Sequence, residues 1–358
     1  MRITARPSAG RQRTLTEYSN VRIVGQILVG ETEAIQPVLE QTMSTGVSTT
    51  DRTELDVSSL PPITKHHETP VFYFLYNTTN YFHYLYDSLP YLVGRPDGVP
   101  LLMTRPSYPF VLDCLTALGI QDIVYVDPET VYSKVIVSSS LTHEGLSEEP
   151  PHPDIWSLYR RMKPLDIPTP PKIYVSRRSW IHGDKSNLGS DYTERRKMLC
   201  EDALVEGLVA RGYVEVFCEN LSMAEKIAYF SKATHVVGAI GGGMCNLVFA
   251  KPSCRVACIA SPEFERINHR FLYTMSHTDL TMFRDTESTS NLYRRVRLPT
   301  GEIGELVAED TVCLGNGVTW TAGQGQTVAV DPSTLTFLDA GLNSPWSFDV
   351  DSFLQSIE

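Results

Sequence analysis

From residue 172 onward the chain alternates short apolar runs with amphipathic stretches, and this alternation constrains the fold more than any single motif. "KIYVS" at 172–176 reads as a buried strand, and "ERRKMLCEDALVEGLVAR" at 194–211 places Met198, Val205, Leu208 and Val209 on one helical face. "YVEVF" at 213–217 is a second strand. "LSMAEKIAYFSKA" then carries Ser222 and, three residues on, Glu225, the spacing at which each side chain satisfies an amide at a helix start. "HVVGAI" is a third strand, Gly241-Gly242-Gly243 turn the chain into a short helix through Asn246 to Phe249, and "RVACIA" is a fourth strand. The pattern predicts a parallel sheet covered on both faces. Ligands of such sheets bind beyond the carboxyl ends of the strands. Each strand here is followed by distinctive residues: Ser176-Arg177-Arg178, Glu219, the glycines, and Ser261-Pro262.

Glycines at a strand-to-helix turn let backbone amides approach a ligand, and exposed amides at a helix start favour an anion. The spacing is neither a G-x-G-x-x-G after a first strand nor a Walker motif with its lysine. Taken alone it serves a tight turn or close helix packing equally well. Arg177 and Arg178 add two planar, bidentate donors at the same sheet edge, each charge-assisted bond contributing roughly 1.5–3 kcal/mol. With Gly241, Gly242 and Gly243 at the same sheet edge they point to a diphosphate site, and Glu219, after the second strand, joins them as a candidate for binding the donor.

The first half alternates more loosely. "PVFYFLY" at 70–76 and "VPLLM" at 99–103 read as strands, 81–92 and 109–118 as helices, and 123–126 and 134–138 as further strands. Proline clusters, "SEEPPHPDIW" and "PLDIPTPPK", separate the halves. The expected organisation is a flexible basic arm at 1–20, an N-terminal Rossmann-like domain at 21–165, a second at 166–290, and a C-terminal extension at 291–358 with short strands and a last helix begun by Ser344-Pro345. A length of 358 residues suits two cores. The net charge of −11 argues against a general nucleic-acid or anionic-membrane binder, so a phosphate site must be local. Seven cysteines form no C-x-x-C pair, which makes a reducing, cytoplasmic compartment the simplest expectation. The N-terminus lacks the apolar core of a secretory signal, and the uncharged stretch 236–250 is too short to span a bilayer. The glycosylation patterns at Asn77 and Asn220 carry little weight by themselves.

In "NTTNYFHYLYDSLPYL" at 77–92, His83 and Asp87 are four residues apart on one helical face. Such a pair serves as a general base oriented by its neighbour, or as a helix-surface hydrogen bond. The spacing allows both.

"NYFHYLYDSLP", "KIYVSRR", "ERRKMLCEDALVEGLVARGY", "ENLSMAEKIAYFSKATHVVGAIGGGMCNLVFAKPS" and "RVACIA" follow one another in an order that resembles glycosyltransferase family 61, over roughly residues 70–280. The resemblance implies an α/β, GT-B-like fold of two Rossmann-like domains facing a cleft. It further implies inverting transfer from a UDP-sugar of xylose, N-acetylglucosamine or arabinose type to a glycan acceptor, in polysaccharide or protein-linked glycan synthesis, without a metal or other cofactor. By the family pattern, Arg177, Arg178, Gly241, Gly243 and Asn246 lie at the nucleotide-sugar, and His83 and Asp87 lie across the cleft, with Asp87 expected as base and His83 orienting it. Ile240 stands where the family's turn usually has a histidine, Cys245 where it has threonine, and Cys200-Glu201 where an Asn-Glu pair is usual. Ile240 motivates the alternative of a non-catalytic nucleotide-sugar or glycan-binding protein of the same fold. A dehydrogenase is disfavoured by the lack of G-x-G-x-x-G on a first strand.

Overall fold

The computed structural model describes residues 13–24, 27–30, 57–77, 80–142, 150–178, 198–260, 270–284, 295–308, 310–314, 326–338 and 346–357. Two units divide the chain. One runs through Ile167 and takes in Ser222–Ala228, and the other comprises Pro168–Leu221 and the residues from Tyr229 onward.

The first unit is a mixed sheet. Its strands are β1 (Leu15–Val24), β2 (Ile27–Val29), β3 (Lys65–His67), β4 (Val71–Tyr73), β5 (Leu101–Met103), β6 (Ile123–Tyr125) and β7 (Thr130–Ser138). They lie in the order β2-β1-β7-β4-β5-β6, with β3 also paired to β7. The segment β7-β4-β5-β6 is parallel, whereas β1 and β2 form an antiparallel edge. Helix α1 (Pro109–Ala117) connects β5 to β6, and helix α2 (Ile155–Arg161) follows β7. Residues 15–20, expected in a flexible arm, are strand instead. Of β1 only Val21 and Ile23 are buried, and its first half is held by the backbone ladder to β7. A strand stabilised that way leaves no apolar alternation to read. Residues 1–12 lie outside the described residues.

The second unit is built on a parallel sheet. Its strands are β8 (Lys172–Val175), β9 (Val214–Val216), β10 (His235–Ala239), β11 (Arg255–Ala260) and β12 (Asp279–Arg284), in the order β9-β8-β10-β11-β12. Helix α3 (Glu201–Val209) joins β8 to β9, and helix α4 (Met223–Lys232) joins β9 to β10. The capping box forms at the start of α4: Ser222 Oγ accepts from the Glu225 N–H at 3.3 Å, and Glu225 Oε2 accepts from the Ser222 N–H at 2.8 Å. The expected face of α3 is shifted. Leu204, Val205 and Leu208 are buried, whereas Val209 is 55% exposed, because one residue further along a helix turns the side chain about 100° away from its neighbour. Met198 is buried but precedes the helix, bridging to Trp346. Strand β12 was missed by the sequence pattern, and Ser261-Pro262 lie outside the described residues.

The tail divides in two. Strands β13 (Arg295–Arg297), β14 (Ile303–Ala308), β15 (Thr311–Leu314), β16 (Gln326–Ala329) and β17 (Thr336–Phe337) make an antiparallel sheet around Val296, Leu298, Leu306 and Val312. Residues 346–357 are no extension. Trp346, Phe348, Phe353 and Leu354 share one core cluster with Tyr174, Leu204 and Leu208 of the parallel-sheet unit. The last helix, α5 (Val350–Ser356), starts after Asp349, whose side chain accepts from the Ser352 N–H at 3.0 Å. The expected start at Ser344-Pro345 falls outside the described residues. None of the seven cysteines forms a disulfide, and among the described residues no helix is long and apolar enough to cross a membrane.

Candidate functional site

In the parallel sheet, β8 and β10 are adjacent, and the connections leave in opposite directions from this pair. Such a switch point opens a crevice at the carboxyl ends of the two strands. Arg177 follows β8, and Gly241 to Gly243 follow β10, so the topology brings these candidates together. A Cβ on Gly241 would lie 2.8 Å from Arg177 Nη1, and one on Gly243 would lie 2.7 Å from Val175 Cγ1. The φ of Gly241, 162°, is ordinary extended backbone. Close approach, and not left-handed backbone, therefore demands glycine at Gly243, where the neighbour is a packed valine, whereas at Gly241 a methyl group would displace the end of the Arg177 side chain. Gly242 differs, since a Cβ there would meet nothing within 4 Å.

The helix after the turn, Gly242–Phe249, is of the tight 3-10 type. Asn246 is fully buried and donates from Nδ2 to Gly243 O at 2.9 Å, and Cys245 Sγ donates to Gly242 O at 2.7 Å. Both side chains brace the turn from within. Ile240 is buried, and its N–H bonds to Ile259 O at 2.9 Å, prolonging the sheet where the family histidine would stand.

The two arginines separate. Arg178 donates from Nε and Nη2 to both carboxylate oxygens of Glu215, at 2.9 and 2.6 Å, and from Nη1 to Asp202 at 2.6 Å. Those bonds hold its pKa above the ordinary value, and they commit its guanidinium to protein carboxylates rather than to the expected diphosphate. Arg177 is the arginine at the glycine turn. Burial lowers its pKa, against the opposing charges of Glu201 and Glu219.

Glu201, noted from sequence only as the acid of Cys200-Glu201 where the family has Asn-Glu, is the organising residue. It is 3% exposed, and its Oε1 accepts from the Tyr174 hydroxyl at 2.7 Å, the Ser176 hydroxyl at 3.3 Å and the Arg177 N–H at 2.6 Å. Desolvation raises its pKa even so. The sequence did hold a signal: Glu201 precedes Leu204, Val205 and Leu208 at helical spacing, which places an acid on a buried face. Glu219 lies past β9 in the short 3-10 turn Cys218–Asn220, with its Oε1 enclosed and unbonded.

His83 and Asp87 belong to the other unit. The expected α-helix at 81–92 is instead a π-turn, His83–Ser88, followed by a 3-10 turn, Leu89–Gly94. Pro90 accounts for the irregularity. It has no N–H, and its ring crowds the carbonyl four residues back, so the helix widens before it. Widened turns of this kind recur at functional sites. Asn77 Oδ1 accepts from the Asn80 N–H at 2.7 Å, Asn80 Oδ1 accepts from the His83 N–H at 3.2 Å, and Ser88 Oγ donates to His83 O at 3.2 Å. His83 Nδ1 meets Asp87 Oδ2 at 2.6 Å. The side chain of Asp87 is 0% exposed and that of His83 is 24% exposed. Asp87, expected as the proton acceptor, is thus enclosed beneath the histidine.

No curated protein matches the chain. The family model of glycosyltransferase 61 matches residues 81–257, a span that runs from the turn before His83 into β11 and contains every candidate residue named above. This match supports assignment to glycosyltransferase family 61.

Proposed function

We propose that the protein is an inverting, UDP-sugar-dependent glycosyltransferase of GT-B arrangement, with the donor on the parallel-sheet unit and the acceptor's proton removed by His83. The observation that carries the reading is the His83–Asp87 pair, 2.6 Å apart with the carboxylate enclosed and the imidazole partly exposed. With Nδ1–H donated to Asp87, Nε2 carries the lone pair that takes a proton, while the carboxylate fixes the tautomer and stabilises the imidazolium. The roles expected from sequence are exchanged: His83 is the base and Asp87 orients it.

The acceptor hydroxyl gives its proton to Nε2, and its oxygen attacks the anomeric carbon as the bond to the diphosphate oxygen breaks. A single displacement inverts the carbon. The charge that develops on the leaving diphosphate is met by Arg177 and by the amides of the glycine turn, where fixed donors stabilise it without reorganisation. No metal enters this mechanism, and transfer that persists in EDTA is the expected outcome. A UDP-linked xylose, N-acetylglucosamine or arabinose as donor and a glycan as acceptor are the substrates proposed, on the resemblance to the family.

A panel of nucleotide-sugars screened by thermal shift, followed by a transfer assay on the best ligand, tests the proposal. Stabilisation with turnover supports it. Stabilisation without turnover on any acceptor favours a binding protein, the reading that Ile240 motivates.

A further inference from the structure

We propose that Glu219 reads a vicinal diol of the donor, accepting hydrogen bonds from adjacent hydroxyls of its ribose or of its transferred sugar. The inference rests on the donor reading above. Glu219 Oε1 is enclosed by the protein and has no hydrogen-bond partner. A buried acceptor left without a donor is a standing cost to the fold. Its place explains the cost. In the local order β9-β8-β10-β11-β12, β9 is the strand beside the first one, and Glu219 follows its carboxyl end. In dinucleotide-binding parallel sheets an acid after the strand beside the first accepts the hydroxyls of a ribose, with the phosphates at the glycine turn after the first strand; here the glycine turn follows β10, the other neighbour of β8.

The surroundings agree with that division. Cys218, adjacent in sequence, lies against the glycine turn: a Cβ on Gly243 would be 3.7 Å from its Sγ. Arg177, on the next strand end, is close enough to Glu219 for the carboxylate to act on its charge. An anion-binding group and an acceptor with unspent capacity therefore flank one turn whose middle residue, Gly242, opens onto unfilled space. Phosphate oxygens suit the first and hydroxyl donors the second. Inorganic diphosphate satisfies only Arg177, whereas a nucleoside diphosphate or its sugar ester satisfies both.

Calorimetry on wild type and Glu219→Gln tests this with five probes: inorganic diphosphate, UDP, 2′-deoxy-UDP, an intact UDP-sugar and its counterpart deoxygenated in the sugar ring. Wild type should prefer the hydroxylated member of one pair by about tenfold, the scale of one charge-assisted hydrogen bond. E219Q should lose that preference by weakening only the hydroxylated ligand. Loss within the UDP pair assigns the diol to the ribose, and loss within the UDP-sugar pair assigns it to the transferred sugar. Inorganic diphosphate should bind both proteins alike. If wild type binds UDP but E219Q keeps both preferences, or weakens every probe equally, the proposal fails while the donor site stands. If wild type binds none of the nucleotides, the donor site fails and this inference with it. Should E219Q not fold, Glu219→Ser carries the same comparison.

Discussion

The two units hold their candidate chemistry in different ways. In the parallel-sheet unit, sheet order does the positioning: β8 and β10 are neighbours, so Arg177 and the glycine turn meet although they are far apart in sequence. In the other unit, positioning is local. His83 and Asp87 sit in one widened helical turn, pinned by Asn77, Asn80 and Ser88, all within a dozen residues. A site assembled by topology tolerates changes in any one loop, because the backbone ladder fixes the frame. A site assembled in one irregular turn depends on every residue of that turn.

That contrast is broken most sharply at the acceptor side. His83→Ala should lower transfer by about 10²–10⁴, the span of general-base catalysis, with UDP affinity unchanged. Asp87→Asn should fall within the same span, because an amide presents its N–H as readily as its oxygen to Nδ1 and no longer fixes the tautomer. Steady-state transfer beside calorimetry with UDP checks both. If Asp87→Asn is the larger loss and His83→Ala nearly silent, the roles return to the assignment made from sequence.

At the donor side the comparison is between neighbours. Arg177→Ala should weaken UDP by roughly 1.5–3 kcal/mol, as one charge-assisted contact does. Arg178→Ala should leave UDP affinity nearly intact and lower the melting temperature instead, since it strips Glu215 and Asp202 of their cation. Equal losses of affinity in the two variants would mean that the carboxylate contacts of Arg178 yield to the ligand.

The glycines divide similarly. Gly243→Ala forces a methyl group into Val175, and overpacking of this kind costs about 1–3 kcal/mol of stability. Gly242→Ala meets no neighbour, so the fold should keep its melting temperature while UDP binding weakens. A destabilised Gly242→Ala variant would show that the middle glycine also serves packing.

What could be read from the sequence follows the same division. The parallel sheet announced itself because β8, β10 and β11 are largely buried and its first strands alternate with amphipathic helices, whereas the half-exposed β12 did not; the Ser222–Glu225 capping box fixed the start of α4 to the residue. The switch-point meeting of Arg177 with the glycines needed only the order of the strands. The strand over residues 15–20 was hidden because backbone pairing, not burial, holds it. The separation of Arg177 from Arg178 was illegible, since Glu215 and Asp202 reach Arg178 from a different strand and a different helix. The exposure difference between His83 and Asp87 was equally hidden, because helical spacing reports which face two residues share and not how deep each one lies.

Glu201 gives the smallest expected effect and joins both lessons, as a topological contact made by a buried charge. Burial raises its pKa, although Tyr174, Ser176 and the Arg177 N–H all donate to it. A carboxyl with a folded pKa above its unfolded value contributes most to stability below the unfolded value, and the contribution is lost as pH rises through the folded one. Glutamine keeps the shape and an accepting oxygen but does not titrate. The melting temperature of Glu201→Gln relative to wild type should therefore rise as pH climbs from about 4, near the unfolded carboxyl, to 7. Paired thermal melts across that range measure the trend. A relative gain by wild type at the higher pH would mean that the three donors and the charge of Arg177 outweigh desolvation, and that Glu201 stabilises the Arg177 turn as an anion.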